Sequence, residues 1–220
     1  MKSPTALTPR LEAAASLVGD GSFADIGSDH AYLAIKLALE RGVCGIASDL
    51  REGPCERARK NVRQYGVEEF APDNIIICGM GGELIAEILE NSEYPRTSRC
   101  RLILQPMSMQ DELRRYLSRE GYAISNERVV YDSGKYYQLI AAKYTGESSS
   151  LDEVEALLGP LNLKRAAEDL SDVDRGWLTS VSRAARNRVD GRRKSAAGSS
   201  SPEQLFDQSL LERIEAIIQA

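Results

Sequence analysis

Histidine is nearly missing from this chain, with one residue in 220, and its four cysteines form no C-x-x-C pair. A single imidazole excludes multi-histidine metal centres. The cysteine spacing removes zinc ribbons and thioredoxin-like chemistry, so no metal is expected. The G-x-G-x-x-G turn of dinucleotide sites is absent too. No apolar run approaches the ~18 residues of a membrane span. The opening MKSPTALTPRLEAAASLV is interrupted by two prolines and has no signal-peptide core. With 28 basic and 33 acidic side chains the net charge is −5, which excludes a uniformly cationic coat but allows a local basic patch. Cys44, Cys78 and Cys100 sit in or beside apolar, strand-like runs and read as reduced core thiols. What is left is a cytoplasmic globular chain, 42% hydrophobic, with material for a core. At about 150 residues per domain, its length predicts one full domain and a smaller element.

The first 145 residues alternate short β-type runs (Phe23–Ile26, Cys44–Ser48, Ile75–Cys78, Leu102–Gln105) with helical patterns (His30–Glu40, Glu52–Tyr65, Gly82–Glu90, Met109–Glu120). Such alternation predicts a parallel sheet with helices on both faces, and the strands are continuous apolar runs, as a doubly covered sheet requires. Then come two β-rich runs, Tyr122–Val130 and Tyr136–Tyr144, joined by polar residues that include Gly134, which predicts an antiparallel hairpin. A parallel α/β sheet closed by such a hairpin is the Rossmann-like methyltransferase layout, whereas dinucleotide dehydrogenases usually lack the reversed last strand.

One stretch does not fit. Between Asp49 and Ile75 there is room for one helix and one strand, where the doubly wound pattern places a further strand. Val67–Asn74 is short, acidic and proline-containing, a poor strand. Either an edge strand is lacking or residues are left out of the sequence; the second is expected, because losing a strand is a large change.

From about Ser148 the pattern turns helical: Leu151, Val154, Leu157, Leu158 and Leu161, then Val173, Trp177 and Val181, and finally Leu210, Ile214, Ile217 and Ile218. Ser195–Ser201 reads as a flexible linker. The expected division is residues 1–147 and 148–220, the second a small helical unit built on a hairpin of long helices.

Four segments carry chemistry. Asp25-Ile26-Gly27-Ser28-Asp29-His30 passes from a strand through a glycine turn into a helix N-terminus, where backbone can approach a ligand. Two acids there suit a cationic, hydroxyl-bearing ligand such as S-adenosylmethionine better than a pyrophosphate; the alternative is a turn capped by Asp29. Asp49, beside Leu50 and 24 residues after Asp25, ends the second strand where an acid can accept ribose hydroxyls, or else caps a helix. Gly79-Met80-Gly81-Gly82 follows a buried strand with more backbone freedom than a turn requires, so a planar base or a methyl group can approach there, with Met80 as an apolar wall. The alternative is a strained turn. Gln105 ends the next strand at the same edge, with an amide able to read a purine, or as a surface glutamine.

Together these runs (DIGSDHAYL, SDLREGPCERARKN, GMGGELI, LILQPM, with LTPRL upstream and GKYYQLI downstream) resemble the bacterial tRNA (adenine-N1)-methyltransferases that modify adenine 22. The resemblance spans roughly residues 7–144 and is weaker beyond residue 150, although that family also appends a helical, coiled-coil-like domain. It implies a Rossmann-like, S-adenosyl-L-methionine-dependent enzyme. Asp25, Gly27, Ser28, Asp29 and His30 would line the methionine side of the cofactor. Asp49 would hold the ribose, and Gly79, Met80, Gly81 and Gly82 would face the target base. The family has an additional strand at residues 67–74, ending in an acidic loop that touches the cofactor's adenine; here this chain departs from it.

The reaction so implied needs little covalent machinery. Adenine N1 carries an in-plane lone pair and attacks the methyl group without prior deprotonation. Asp29 is the expected stabiliser of the developing charge, through the exocyclic N6. His30 does the same or caps the helix. For tRNA as partner, Arg175–Lys194 places seven cations against one Asp, a charge near +6 in an acidic chain. Arg183, Arg186, Arg188, Arg192 and Arg193 are therefore the expected phosphate contacts, against the alternative of a solvated helix face. Two other readings stand beside this one: a methyltransferase for a small molecule or protein, and a non-catalytic, methyltransferase-like RNA-binding scaffold.

Overall fold

The computed structural model describes residues 7–28, 32–48, 72–194 and 201–219. The chain divides into two compact units, residues 1–150 and 151–220. No helix among the described residues is long and apolar enough to cross a membrane.

In the first unit, strands β1 (Phe23–Ile26), β2 (Gly45–Ser48), β3 (Asn74–Met80) and β4 (Arg101–Pro106) are parallel. Strands β5 (Tyr122–Asp132) and β6 (Lys135–Tyr144) form the hairpin, and the sheet order is β2-β1-β3-β4-β6-β5 with β6 antiparallel to β4. The hairpin turn is two residues, Ser133 (φ 49°) and Gly134 (φ 84°), and two positive φ values match the twist of the flanking strands. Helices α1 (Pro9–Leu17) and α2 (Tyr32–Arg41) cover one sheet face, and α3 (Gly82–Glu90) and α5 (Gln110–Arg119) the other, with a short α4 (Tyr94–Ser98) before β4. Successive strand residues alternate between these cores: Ile76 and Ile103 pack with Leu17, Leu33 and Leu37, while Ile77, Leu102 and Leu104 pack with Ile85, Leu113 and Leu117.

Several expectations need correction. Pro9 does not interrupt the N-terminus but begins α1 at its first helical position, where a missing N–H costs nothing. Cys100 is buried and Cys78 half-buried, but Cys44 is exposed just ahead of β2 and is no core thiol. The helix expected over Glu52–Tyr65, and the question of a further strand at 67–74, fall mainly on residues 49–71, outside the described residues.

One polar contact inside this unit is fully shielded from water. Arg114 of α5 donates Nε to Glu127 of β5 at 2.6 Å and Nη2 to Gln138 of β6 at 2.7 Å.

In the second unit the apolar run read from Leu151 to Leu161 is broken by Gly159 (φ 90°) and Pro160, giving α6 (Glu153–Leu158) and α7 (Pro160–Glu168). Helices α8 (Asp172–Lys194) and α9 (Pro202–Gln219) pair antiparallel and bury Trp177, Leu178, Ala185, Leu210 and Ile214, whereas Val173 in the first turn of α8 stays open to solvent. The linker read at Ser195–Ser201 lies, but for its last residue, outside the described residues.

Removing one partner of a buried ion pair strands the other charge. Glu127→Ala should therefore destabilise the protein by about 3–5 kcal/mol in urea unfolding. A loss below about 1 kcal/mol would show that water reaches Arg114 and that the contact is dispensable.

Candidate active site

The parallel strands end at a common edge, where the chain turns through glycine twice. β1 leads into Gly27 (φ 79°), and Gly79 (φ 80°) occupies a bulge near the end of β3. At Gly27 a Cβ would lie 2.4 Å from Met80 Cε, so the two turns touch through the space that a side chain would fill. The loops after β3 and β4 are stitched by Met107 N–H donating to Met80 O at 2.8 Å and Gly82 N–H donating to Ser108 O at 2.8 Å.

Asp25 lies one residue from the end of β1, between Ala47 and Ile76 of the neighbouring strands, and is only 5% exposed. Burial pushes its carboxyl up to about 6, and a hydrogen bond with Ser28 works against that rise. Across the edge, Cys78 is pushed up to about 12 by burial and by the Asp25 carboxylate, while the Arg10 guanidinium pulls it down. Both charged groups are thus electrostatic neighbours of one thiol.

Asp25, Gly27 and Ser28 come together here with Gly79, Met80 and Gly81. Asp29, His30, Asp49 and Leu50 lie outside the described residues. Gln105 is at the edge but fully buried, which corrects its reading as an amide presented to a purine. Its Oε1 accepts from Arg10 Nη1 at 3.1 Å, and its Nε2 donates to Pro106 O at 3.0 Å. Gly82 also has a packing reason: a Cβ there would sit 2.0 Å from Met109 O, so helix α3 starts hard against the loop entering α5. That contact explains the missing side chain without a ligand.

Charge counting overstated the basic face of α8. Arg188 forms a two-toothed contact with the buried carboxylate of Asp207, and Arg192 reaches the same group at 2.8 Å. Arg186 pairs with Glu215. Arg183 is exposed in a groove shared with Thr179, Arg186 and Asn187. Arg193 belongs to α8, but its side chain is outside the described residues. Arg188 and Arg192 are thus committed to holding α8 against α9.

Sequence reasoning missed three residues at the edge. Arg10 was carried in LTPRL without a role, and Met107 and Met109 went unremarked, though both are large apolar side chains more than 40% exposed. Met109 also adopts φ 54°, uncommon for a residue with a side chain. The available signal was a lone arginine at the start of an apolar helix and two methionines directly after a strand-ending proline. Among the described residues, no three of His, Cys, Asp and Glu cluster as a metal ion would need.

Residues 7–140 match the family described as a methyltransferase domain. Over 172 residues the chain is 33% identical to the tRNA (adenine(22)-N(1))-methyltransferase of Bacillus subtilis, an alignment covering 70% of this chain and 72% of that one. The crystal structure of the B. subtilis m1A22 tRNA methyltransferase TrmK superposes with a TM-score of 0.73 at 28% identity, over 97% of this chain and 99% of the other. A Streptococcus pneumoniae protein crystallised with S-adenosyl-L-methionine gives 0.72 at 29% identity, over 97% of this chain and the whole of its own.

The raised pKa of Asp25 means that the folded state holds this proton more tightly than the unfolded chain does. Its contribution to stability is present below pH ~4 and is lost as pH rises through about 6, an effect of about 3 kcal/mol at most. Asp25→Asn is neutral throughout. Between pH 4 and 7.5 the urea-unfolding free energy of the variant should gain about 1–3 kcal/mol relative to the parent. A difference that stays flat with pH would show that the folded carboxyl ionises as readily as an exposed one.

Proposed function

Because the chain belongs to the methyltransferase-domain family and, within it, to the tRNA (adenine22-N1)-methyltransferases, we propose that it transfers a methyl group from S-adenosyl-L-methionine to N1 of an adenine in tRNA, at position 22. The observation that carries this reading to the residues is the buried acid Asp25, set just ahead of the positive-φ turn at Gly27 on the carboxyl edge of a parallel sheet. The residues fit the cofactor. Asp25 offers an anion to its cationic amino-acid end, and the side-chain-free backbone at Gly27 and Gly79 admits close approach.

When bound, the cofactor supplies an electrophilic methyl group on a sulfonium sulfur. The chain's own work is alignment and exclusion of water. N1 of adenine, sulfur and methyl must be brought in line within about 3–3.5 Å, a matter of positioning more than of acid–base chemistry. In this reading Met80, Met107 and Met109 give the adenine an apolar, polarisable seat beside the glycine turn. Asp29 accepts a hydrogen bond from the exocyclic N6 and steadies the charge that moves onto the purine, His30 assists it or caps the helix, and Asp49 with Leu50 takes the ribose side. The base leaves its stack or tertiary pair to enter. Residues 1–147 are the catalytic domain and 148–220 the tRNA-binding arm, with Arg183 and Arg193 as its phosphate contacts. The compartment is the cytoplasm, where tRNA is.

Purified protein should move labelled methyl from the cofactor to adenine 22 of unmodified tRNA, located by nucleoside mapping. Methylation at another position, or none, would set the reading aside. Arg183→Gln should weaken tRNA binding and flatten the slope of log affinity against log salt by about 0.7–0.9, the amount for one phosphate. Arg188→Gln should instead lower the melting temperature, because the buried Asp207 carboxylate then keeps only Arg192 of the two cations that compensate it. If Arg183→Gln leaves the salt slope unchanged, RNA docks elsewhere.

A further inference from the structure

Gly134, Lys135 and Tyr136 of the motif GKYYQLI stand at the tip of the terminal hairpin, and that tip overhangs the ligand edge. The last pair between β4 and β6 joins Leu104 to Ile140. From there β4 runs on for two residues, to Pro106, whereas β6 extends five residues the same way, to Lys135. The ladder between β5 and β6 holds along that whole length and ends at Asp132 and Lys135. At about 3.4 Å per residue the tip stands about 10 Å beyond the end of β4, on the side where the glycine turns lie.

The two faces of the overhang differ. Tyr137 points towards α1, where the Arg10 guanidinium carbon lies 5.4 Å from its ring centre. Tyr131 and Tyr136 oppose each other on the other face, the one on which Glu127 and Gln138 meet Arg114. Their ring centres are 4.9 Å apart and the planes are inclined at 50°, so Tyr136 braces Tyr131, which is half exposed. Lys135 beside them is exposed. Asp132, opposite Lys135 in the register, accepts a hydrogen bond from the Ser133 hydroxyl at 2.8 Å.

A braced aromatic ring and a solvated ammonium are the two groups that a single nucleotide needs, a face for the base and a charge for the phosphate. A cross-strand tyrosine pair steadies a hairpin by itself, but that role requires neither the overhang nor the cation. One open ring among Ser133, Gly134 and Lys135 offers little of the apolar area that a lasting protein interface buries. Taking the adenine out of its stack uncovers a face of the adjoining base, and a ring held just beyond the methyl-transfer edge can cover it. We propose that Tyr131 stacks on the nucleobase next to the target adenine, while Lys135 holds an adjoining phosphate. The proposal rests on the methyl-transfer reading and adds to it a substrate contact outside the cofactor site.

The test measures binding and methylation of an unmodified tRNA carrying adenine 22, by the whole chain, at several salt concentrations. Tyr131→Ala should weaken tRNA binding roughly five- to hundredfold, the range for one stacked base, and leave the salt slope as it is. Tyr131→Phe, which keeps the ring face, should bind like the parent. Lys135→Gln should flatten the slope of log affinity against log salt by about 0.7–0.9, the amount for one phosphate. All three variants should bind S-adenosyl-L-methionine as the parent does. Unchanged affinity in Tyr131→Ala, an equal loss in Tyr131→Phe, or an unchanged slope in Lys135→Gln overturns the proposal. So does weakened cofactor binding, which would put the tip in the cofactor site instead. Should Tyr131→Ala fail to fold, Lys135→Gln still decides, because its side chain lies in solvent at the turn. A parent that moves no methyl group to adenine 22 overturns the methyl-transfer reading and the proposal with it. A parent that does so beside unaffected variants overturns the proposal alone.

Discussion

The buried contact of Arg114 with Glu127 and Gln138 is the interaction on which the arrangement of this sheet depends. Three elements meet in it, helix α5 and both strands of the terminal hairpin. Burial disfavours the charged guanidinium and pulls its pKa down, and Glu127 offsets this through charge and hydrogen bonding. An ion pair so deep adds little net stability over apolar packing, but it penalises any register in which its members fail to meet. The hairpin is therefore set against α5, β6 against β4, and Gln105 and Tyr137 are carried to the edge where the site lies. A buried polar contact that holds Gln138, the residue after Tyr137 in β6, thus bears on geometry at the ligand face.

Much of the first unit was legible because its signals are local. Continuous apolar runs marked β1, β3 and β4, and the hairpin was readable from the turn around Gly134, where two successive positive φ values are needed. Gly82–Glu90 was readable from its periodicity, residue for residue. What escaped is non-local or small. Pro9 looks like a breaker until its place at the head of a helix is known, and Tyr94–Ser98 is too short for a periodic signal. Cys44 borders an apolar run yet precedes the strand on its exposed side.

The site was partly legible for the same reason. An acid before a glycine turn is a local pattern, so Asp25 and Gly27 could be singled out from sequence. Arg10 could not, since its meaning comes from β4 and β6, some 95 and 127 residues along the chain. Charge counting failed on α8 in the opposite sense. The seven cations between Arg175 and Lys194 look uncompensated in a window of that length, but Asp207 and Glu215 return from the next helix to meet three of them. A basic stretch is evidence for a polyanion only after its long-range acids are subtracted.

The seat of Gly82 on the carbonyl of Met109 has a consequence for how this scaffold can diversify. The turn after β3 and the loop after β4 are keyed together there and again at Met80 and Met107, so they form one rigid block instead of two adjustable lips. A residue inserted into either would unseat the start of α3, and a larger side chain at position 82 would displace the left-handed Met109. Variation that adapts such a protein to a new acceptor has to enter through segments that this keying leaves alone, while the paired loops change together or stay as they are.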